Sequence, residues 1–239
     1  MTEISVILPA YHEAENLVNI LPRLNRAMKK LGRPYEVLVI DTQEPTDNTA
    51  AVCRENGAVC IARTGGNLYG DAIRTGFAAA SGKFLVVMDA DGSHDPAVIP
   101  KMYRVMTGQK AGLVIGSRYC RNGSTDNSFI LRFMSWVLNV TYRTMFGLRV
   151  KDVSDSFRMY RTQMLRSQQF ECSNFDIVEE ILIRLHYSYP RAAIVEIPIR
   201  FSKRAAGESK RDLFKFILSY LKTMKKLLKI KHSIRRNKR

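Results

Sequence analysis

Short apolar runs at residues 4–8, 35–40, 58–62, 84–88 and 113–116 alternate with helical patterns at 13–31, 46–56, 71–80 and 97–106. Strand-length runs separated by amphipathic segments long enough to cross a sheet face restrict this part of the chain to a parallel, doubly wound α/β sheet. The run Phe84-Leu85-Val86-Val87-Met88 holds no polar residue, as a strand covered on both faces requires. Where it stops, Asp89-Ala90-Asp91 releases two carboxylates one residue apart. Ligands of open α/β sheets bind beyond the carboxyl ends of the strands. An acidic pair there suits a divalent cation, Mg²⁺ or Mn²⁺, that keeps positions open for phosphate oxygens. The plainer alternative is a turn, because Asp91-Gly92 is a good turn dipeptide by itself.

After Ser117 the pattern changes. Residues 129–146 are apolar on most faces yet include Arg132, Ser135, Asn139 and Arg143, which suits a helix packed on the sheet or lying near a membrane surface. A helix at about 176–186 and a strand at 193–201 follow, and Pro198 places that strand at an edge. The last helix, about 212–230, sets Leu213, Ile217, Tyr220, Leu221, Met224, Leu227 and Leu228 at steps of three and four, with Lys215, Lys222, Lys225, Lys226 and Lys229 mostly on the other side.

Charge separates body from tail. Residues 203–239 carry 14 Lys and Arg against 2 Asp and Glu, so +12 of the formal net +16 lies there. A basic amphipathic helix of this kind reads as a membrane-surface or partner-binding element; the alternative is a helix that packs its apolar face on the body and solvates its lysines. Confinement of the charge to the tail argues against nucleic-acid binding, whose usual sign is a basic footprint on the folded domain. Cys53, Cys60, Cys120 and Cys172 form no Cys-x-x-Cys pair, so neither zinc nor a structural disulfide is expected. No apolar stretch reaches the roughly 18 residues that span a bilayer, and no basic region precedes the first apolar run, so neither a membrane span nor secretion by this route is expected.

Six segments in order resemble the dolichol-phosphate mannose synthase and polyprenyl-phosphate glycosyltransferase group of the inverting GT-A glycosyltransferases. They are Val6-Ile7-Leu8-Pro9-Ala10-Tyr11-His12-Glu13, Asp89 to Pro96, Gly116-Ser117-Arg118-Tyr119, the Arg132-x-x-Ser135-x-x-x-Asn139 pattern, Asp152 to Arg161, and Arg204-Ala205-Ala206-Gly207-Glu208-Ser209-Lys210. The resemblance implies a GT-A fold, a mostly parallel sheet flanked by helices, over residues 1–211, followed by a basic amphipathic tail at 212–239. It implies that Pro9, Tyr11, Glu13, Asp41, Arg74 and Asp89 bind the donor nucleotide, and that Asp89, Asp91 and Ser93 hold the metal. Arg118, Arg132 and Ser135 would grip the acceptor phosphate, with Asp91, Arg204 and Lys210 carrying catalysis.

The implied reaction moves a hexose from a nucleotide sugar, GDP-mannose first and a UDP-sugar second, to a polyprenyl or dolichyl phosphate at the cytoplasmic membrane face. The protein would then be cytoplasmic and peripheral on an anionic membrane surface, with a small membrane protein as a further partner. Such an acceptor is already anionic and needs no general base. A hydroxyl acceptor would need one, and Asp155 or Glu179 would be its candidates. The chain departs from the family in several places, among them Gly92-Ser93 in the metal motif, the segment after the second strand and Asp155. Thr42 replaces the second Asp of an Asp-Asp pair after the second strand, in a segment one residue longer, and Asp155 stands where the family has Gly or Ser. Asp155 would weaken phosphate binding, pair with an arginine or mark a different acceptor. Either Glu179 or Glu180 matches the family's helix glutamate.

Overall fold

The computed structural model describes residues 1–202 and 213–236, the side chains of 213–221 excepted. Its elements are β1 (Ile4–Pro9), α1 (Ala14–Leu31), β2 (Tyr35–Asp41), α2 (Thr49–Glu55), β3 (Val59–Ala62), α3 (Tyr69–Ala79), β4 (Phe84–Val87), α4 (Ile99–Gly108), β5 (Leu113–Ser117), β6 (Ser124–Thr125), α5 (Phe129–Phe146), β7 (Arg158–Arg161), α6 (Thr162–Arg166), α7 (Ile177–Ser188), β8 (Ile194–Pro198), β9 (Arg200–Phe201) and α8 (Leu213–Arg236). Among the described residues, seven strands form one sheet in the order β3-β2-β1-β4-β7-β5-β8, and β6 and β9 pair separately. Alternation along β1 explains why both faces need helices. Ile7 joins a core with residues of α3, α5 and α7, whereas Val6 and Leu8 join another with α1, α2 and α4. On α1, Leu17, Ile20, Leu21, Leu24 and Met28 make the buried stripe. Each such side chain contributes about 1.5–3 kcal/mol by leaving water, so Leu21→Ala is a change that would cost about 2–5 kcal/mol.

Strand β7 positions the site. It runs antiparallel to both neighbours, pairing Val87 with Arg158 on one side and Ile115 with Arg158 on the other, while the remaining pairs of the large sheet are parallel. A strand inserted in reverse starts at the edge where its neighbours end. The segment 152–157 therefore enters the sheet beside the carboxyl ends of β4 and β5, next to Asp89 and Arg118. The apolar pattern does not announce β7, because Arg158 and Arg161 occupy strand positions. At the other edge β8 is the last strand, with Pro198 beside Ser117, as the edge expectation requires.

The C-terminal helix runs on to Arg236, beyond the expected end at 230. Of its expected apolar face, the side chains of Leu213, Ile217, Tyr220 and Leu221 lie outside the described residues, and the remainder packs on the body, the alternative named above. Leu227 and Ile230 are buried in the main core, with Met224, Leu228 and Ile234 packed against it. Lys226 donates to the Glu171 carbonyl (2.8 Å) and Lys231 to the Met145 carbonyl (2.8 Å). No helix among the described residues is long and apolar enough to cross a membrane.

Candidate active site

The carboxyl ends of β1, β3 and β4 open into a cleft of about 370 Å³ lined by Pro9, Tyr11, Glu13, Arg63, Asn67, Leu68, Tyr69, Asp89, Asp91, Asn174 and Phe175. Pro9, Tyr11, Glu13, Asp89 and Asp91 are thus brought together as the sequence leads one to expect. Asp41 is not among them: it ends β2 with 3% exposure, its carboxylate accepts from the Thr42 amide (2.8 Å), and burial pushes its pKa up. Arg74 is also drawn away. Its guanidinium donates to the Cys172 carbonyl and to Asp71, both at 2.6 Å, so it clamps a loop rather than meeting a diphosphate in the cleft.

Arg63 was not expected from the sequence. It is 5% exposed and donates to the carbonyls of Asp41 (3.1 Å), Asn67 (2.8 Å) and Ala10, tying three strand ends into one rim. A basic residue at the end of β3 is the only sequence signal it leaves. On the opposite rim Phe175, 52% exposed, stacks on Tyr69 at 4.3 Å between centroids. Its loop is held tightly: Gly70 donates to the Ser173 carbonyl at 2.7 Å, and a Cβ on Gly70 would lie 2.5 Å from the Cys172 oxygen. Glu180 accepts from the Glu171 and Cys172 amides and from Arg184, which makes it the helix glutamate with a structural task. Nothing local in the sequence marks Phe175, since its loop reaches the cleft through contacts from distant helices.

The two cleft carboxylates are arranged differently. Asp91 is 4% exposed and accepts from the Ser93 amide at 3.0 Å. Asp89 accepts from the Ser156 hydroxyl at 2.9 Å, with the Tyr69 hydroxyl at 3.4 Å. Burial raises the Asp89 pKa; His94 opposes that rise, Asp91 adds to it, and the net shift is upward. A buried carboxylate whose charge is disfavoured by a neighbouring carboxylate, as that of Asp89 is by Asp91, is relieved by a cation. The Ser93 hydroxyl is buried without a hydrogen-bond partner. These oxygen donors fit Mg²⁺ or Mn²⁺. Among the described residues no group of three or more His, Cys, Asp or Glu side chains is arranged to hold a metal ion by itself, so other ligands would come from water or from the substrate's phosphates.

Beside this pair lies a buried charge network. Arg118, 8% exposed, donates to Asp152 through Nε (2.8 Å) and through a terminal nitrogen (2.7 Å), and to Ser154 (2.8 Å). Its Nε is also 3.3 Å from Asp155. Where the sequence leads one to expect a grip on an acceptor phosphate, Arg118 has its Nε and one terminal nitrogen engaged by two carboxylates with fully buried side chains. Of the alternatives for Asp155, pairing with an arginine is the one observed. Burial would raise the Asp155 carboxyl, but His94 and Arg118 outweigh it and hold it below the usual range.

His94 connects this network to Asp89. Its Nδ1 accepts from the Asp89 amide (3.1 Å), which assigns the proton to Nε2, and Nε2 faces Asp155 at 3.4 Å. Burial disfavours an imidazolium, while Asp155 and Asp89 favour it and raise its pKa on balance. Asn139 accepts from the Val153 amide (2.8 Å). Arg158, fully buried, donates to the carbonyls of Asp155, Val178 and Val153. Glu179, buried in the first turn of α7, is pushed up to about 7 by burial. Arg132 is exposed and Ser135 half-buried on the first half of α5. Arg204 and Lys210 lie outside the described residues.

A family model described as glycosyl transferase family 2 matches residues 5–168. A dolichol-phosphate mannosyltransferase of Pyrococcus furiosus is 34% identical over 235 residues, covering 95% of this chain but 64% of its own length. An undecaprenyl-phosphate mannosyltransferase of Micrococcus luteus is 33% identical over 217 residues, 85% of each chain. A dolichol-phosphate mannosyltransferase of Saccharomyces cerevisiae is 29% identical over 243 residues, 94% of this chain and 86% of the relative. Among solved structures, glucosyl-3-phosphoglycerate synthase from Mycobacterium tuberculosis in complex with Mn²⁺, UDP and glucosyl-3-phosphoglycerate superposes with a TM-score of 0.73 at 20% identity, over 95% of this chain and 79% of that one. At that identity the likeness is one of fold, and the fold is GT-A.

Proposed function

Since the chain belongs to glycosyl transferase family 2, we propose that it transfers a hexose from a nucleotide sugar, GDP-mannose first and a UDP-sugar second, to a polyprenyl or dolichyl phosphate. The observation that carries this reading is the acidic pair Asp89 and Asp91 in the cleft at the end of β4, in a chain whose relatives are named as polyprenyl-phosphate mannosyltransferases.

Pro9, Tyr11 and Glu13 border the nucleotide's place, and Arg63 fixes the rim they stand on. Asp89, Asp91 and Ser93 would hold Mg²⁺ or Mn²⁺, which when bound offsets the charge growing on the departing diphosphate. Arg204 and Lys210 add positive charge to that leaving group in this reading. Arg132 and Ser135 orient the acceptor phosphate from α5, and Arg118 positions the segment 152–156 instead of touching substrate. The acceptor oxygen is anionic near neutral pH, so in-line placement and charge stabilisation carry the rate. Attack opposite the leaving group turns an α-linked donor into a β-linked product.

The geometry also disfavours a hydroxyl acceptor. Asp155 is paired and held ionised; Glu179, though raised to about 7, is 7% exposed and does not line the cleft.

The test is transfer of label from a panel of GDP- and UDP-sugars to liposome-bound polyprenyl phosphate, with and without Mn²⁺, beside Asp91→Ala. Metal-dependent label in the lipid phase that disappears in the variant supports the reading and identifies the sugar. Metal-dependent turnover of a nucleotide sugar with label only in water-soluble products would replace the acceptor.

A further inference from the structure

Asp89 is held at two ends. Its carboxylate accepts from the Ser156 hydroxyl at 2.9 Å, and its backbone N–H donates to Nδ1 of His94 at 3.1 Å. The second bond follows from where β4 stops. Met88 still gives its N–H to the Ile7 carbonyl (3.0 Å), but Asp89 is the first residue beyond that ladder, and an amide leaving a sheet at a partly buried rim needs another acceptor. His94 supplies it from a fixed ring, 1% exposed, stacked on Phe157 with centroids 4.9 Å apart and edge-on to Phe201 at 5.3 Å.

An acceptor at Nδ1 places the ring proton on Nε2. Nε2 lies 3.4 Å from an Asp155 oxygen and has no hydrogen-bond partner among the described residues, so that carboxylate is the group its proton faces. Asp155 is fixed in turn, accepting from the Phe157 amide (2.8 Å) and standing 3.3 Å from Arg118 Nε. The adjacent residues Asp155 and Ser156 thus reach Asp89 by two routes, one straight to its carboxylate and one through an imidazole to its backbone. The plainer account is a core histidine that fills the space between two phenyl rings. Space alone asks for no nitrogen, and burying polar ring atoms costs free energy unless they meet partners.

We propose that His94 is a positioning residue for the cation site: backed by Asp155, it holds the Asp89 backbone so that the Asp89 carboxylate is preset in the cleft before a cation arrives. It touches neither the cation nor the substrate. The inference rests on the reading of Asp89 and Asp91 as cation ligands, and its test has a part that needs no cation. A partner that orients a ligand in this indirect way typically changes metal affinity by about 10–100-fold when it is lost.

Asparagine and glutamine separate positioning from packing, because Asn sets an amide oxygen near the Nδ1 position whereas Gln sets its amide near Nε2. His94→Asn keeps an acceptor for the Asp89 N–H but removes more volume; His94→Gln fills more of the space but offers no acceptor there. Mn²⁺ binding to the full-length protein is followed by electron paramagnetic resonance, alone and with GDP or UDP, beside a melting curve for each variant. The Asn variant should bind Mn²⁺ within about threefold of the parent and the Gln variant roughly tenfold or more weakly. In the metal-free parent, nitrogen NMR of ring-labelled histidine should show the His94 proton on Nε2, the signal being assigned by its loss in the Asn variant. Weakening that follows lost volume, larger in the Asn variant, or equal binding by both variants would overturn the proposal. So would a parent His94 with its proton on Nδ1 or on both nitrogens, a result that stands even where a variant does not fold. A parent that binds no Mn²⁺ under any of these conditions would instead remove the cation reading itself, and the inference with it.

Discussion

The two sides of this cleft, to which the proposed function gives the donor and the acceptor, are built on opposite rules. On the donor side, parallel strands end at the surface and hand carboxylates and backbone groups to an open space, so Asp89 and Asp91 line the cleft with Pro9, Tyr11 and Glu13. On the acceptor side, the reversed strand β7 delivers Asp152 and Asp155 into the same region as Arg118, and charges that could meet a substrate meet one another. A run of family-like residues therefore means different things on the two sides. At strand ends it lines an open cleft; beside an antiparallel insertion it joins a buried frame.

The strongest way to break this contrast is to exchange the expected consequences. Asp91→Ala should lower transfer by roughly 10³-fold or more while metal-free thermal stability changes little, read by label transfer and a melting curve. Arg118→Ala should act first on folding. It leaves Asp152 and Asp155 buried without their cation, a change that costs about 3–5 kcal/mol, measured by urea unfolding. An Arg118→Ala protein of full stability whose only defect is a raised KM for the acceptor would return Arg118 to the substrate and dissolve the contrast.

The sequence is legible where its signals are local. Residues 84–88 read as a buried strand because no residue in them is polar, and the acidic pair follows at once. The edge position of Pro198 is equally local, a missing donor that only an edge tolerates. What the sequence does not disclose is pairing across distance. Arg118 and Asp152 are 34 positions apart, and no spacing rule joins them until β7 is known to run backwards. Strand β7 itself is hidden because Arg158 is a core residue, fully buried with its guanidinium bonded to three carbonyls, which apolar periodicity reads as a break. Arg74 misleads in the reverse direction, since its place on α3 suits an anion but its donors go to Asp71 and the Cys172 carbonyl.

Glu179 sharpens the contrast through pH. Its carboxyl is raised from 4.5 to about 7 by burial, so between those values the folded protein keeps a proton that the unfolded chain has released. Folding stability must fall as pH rises through that window. The loss is absent below both values and reaches about 3 kcal/mol above the higher one. Glu179→Gln should remove this slope: its unfolding free energy relative to the parent should be flat below pH 4 and rise by about 3 kcal/mol by pH 8. Retained transfer activity in the same variant is the expected companion result. Lost activity without lost stability would bring back a base and a hydroxyl acceptor.

The smallest effects probe how the donor side is braced. Phe175→Ala removes an aromatic wall stacked on Tyr69, an interaction worth about 0.5–1.5 kcal/mol, so the donor KM should rise by up to roughly tenfold with kcat little changed. The loop carrying Phe175 is in turn tied to the C-terminal helix, where the Thr223 hydroxyl donates to Asp176 at 3.0 Å. Thr223→Val keeps the shape and deletes that bond, worth about 1 kcal/mol, so the same KM should move in the same direction by a smaller factor. If Thr223→Val leaves the donor KM unchanged while Phe175→Ala raises it, the C-terminal helix packs on the body without bracing the cleft. If both raise it, a helix remote from the chemistry helps to hold one wall of the donor site.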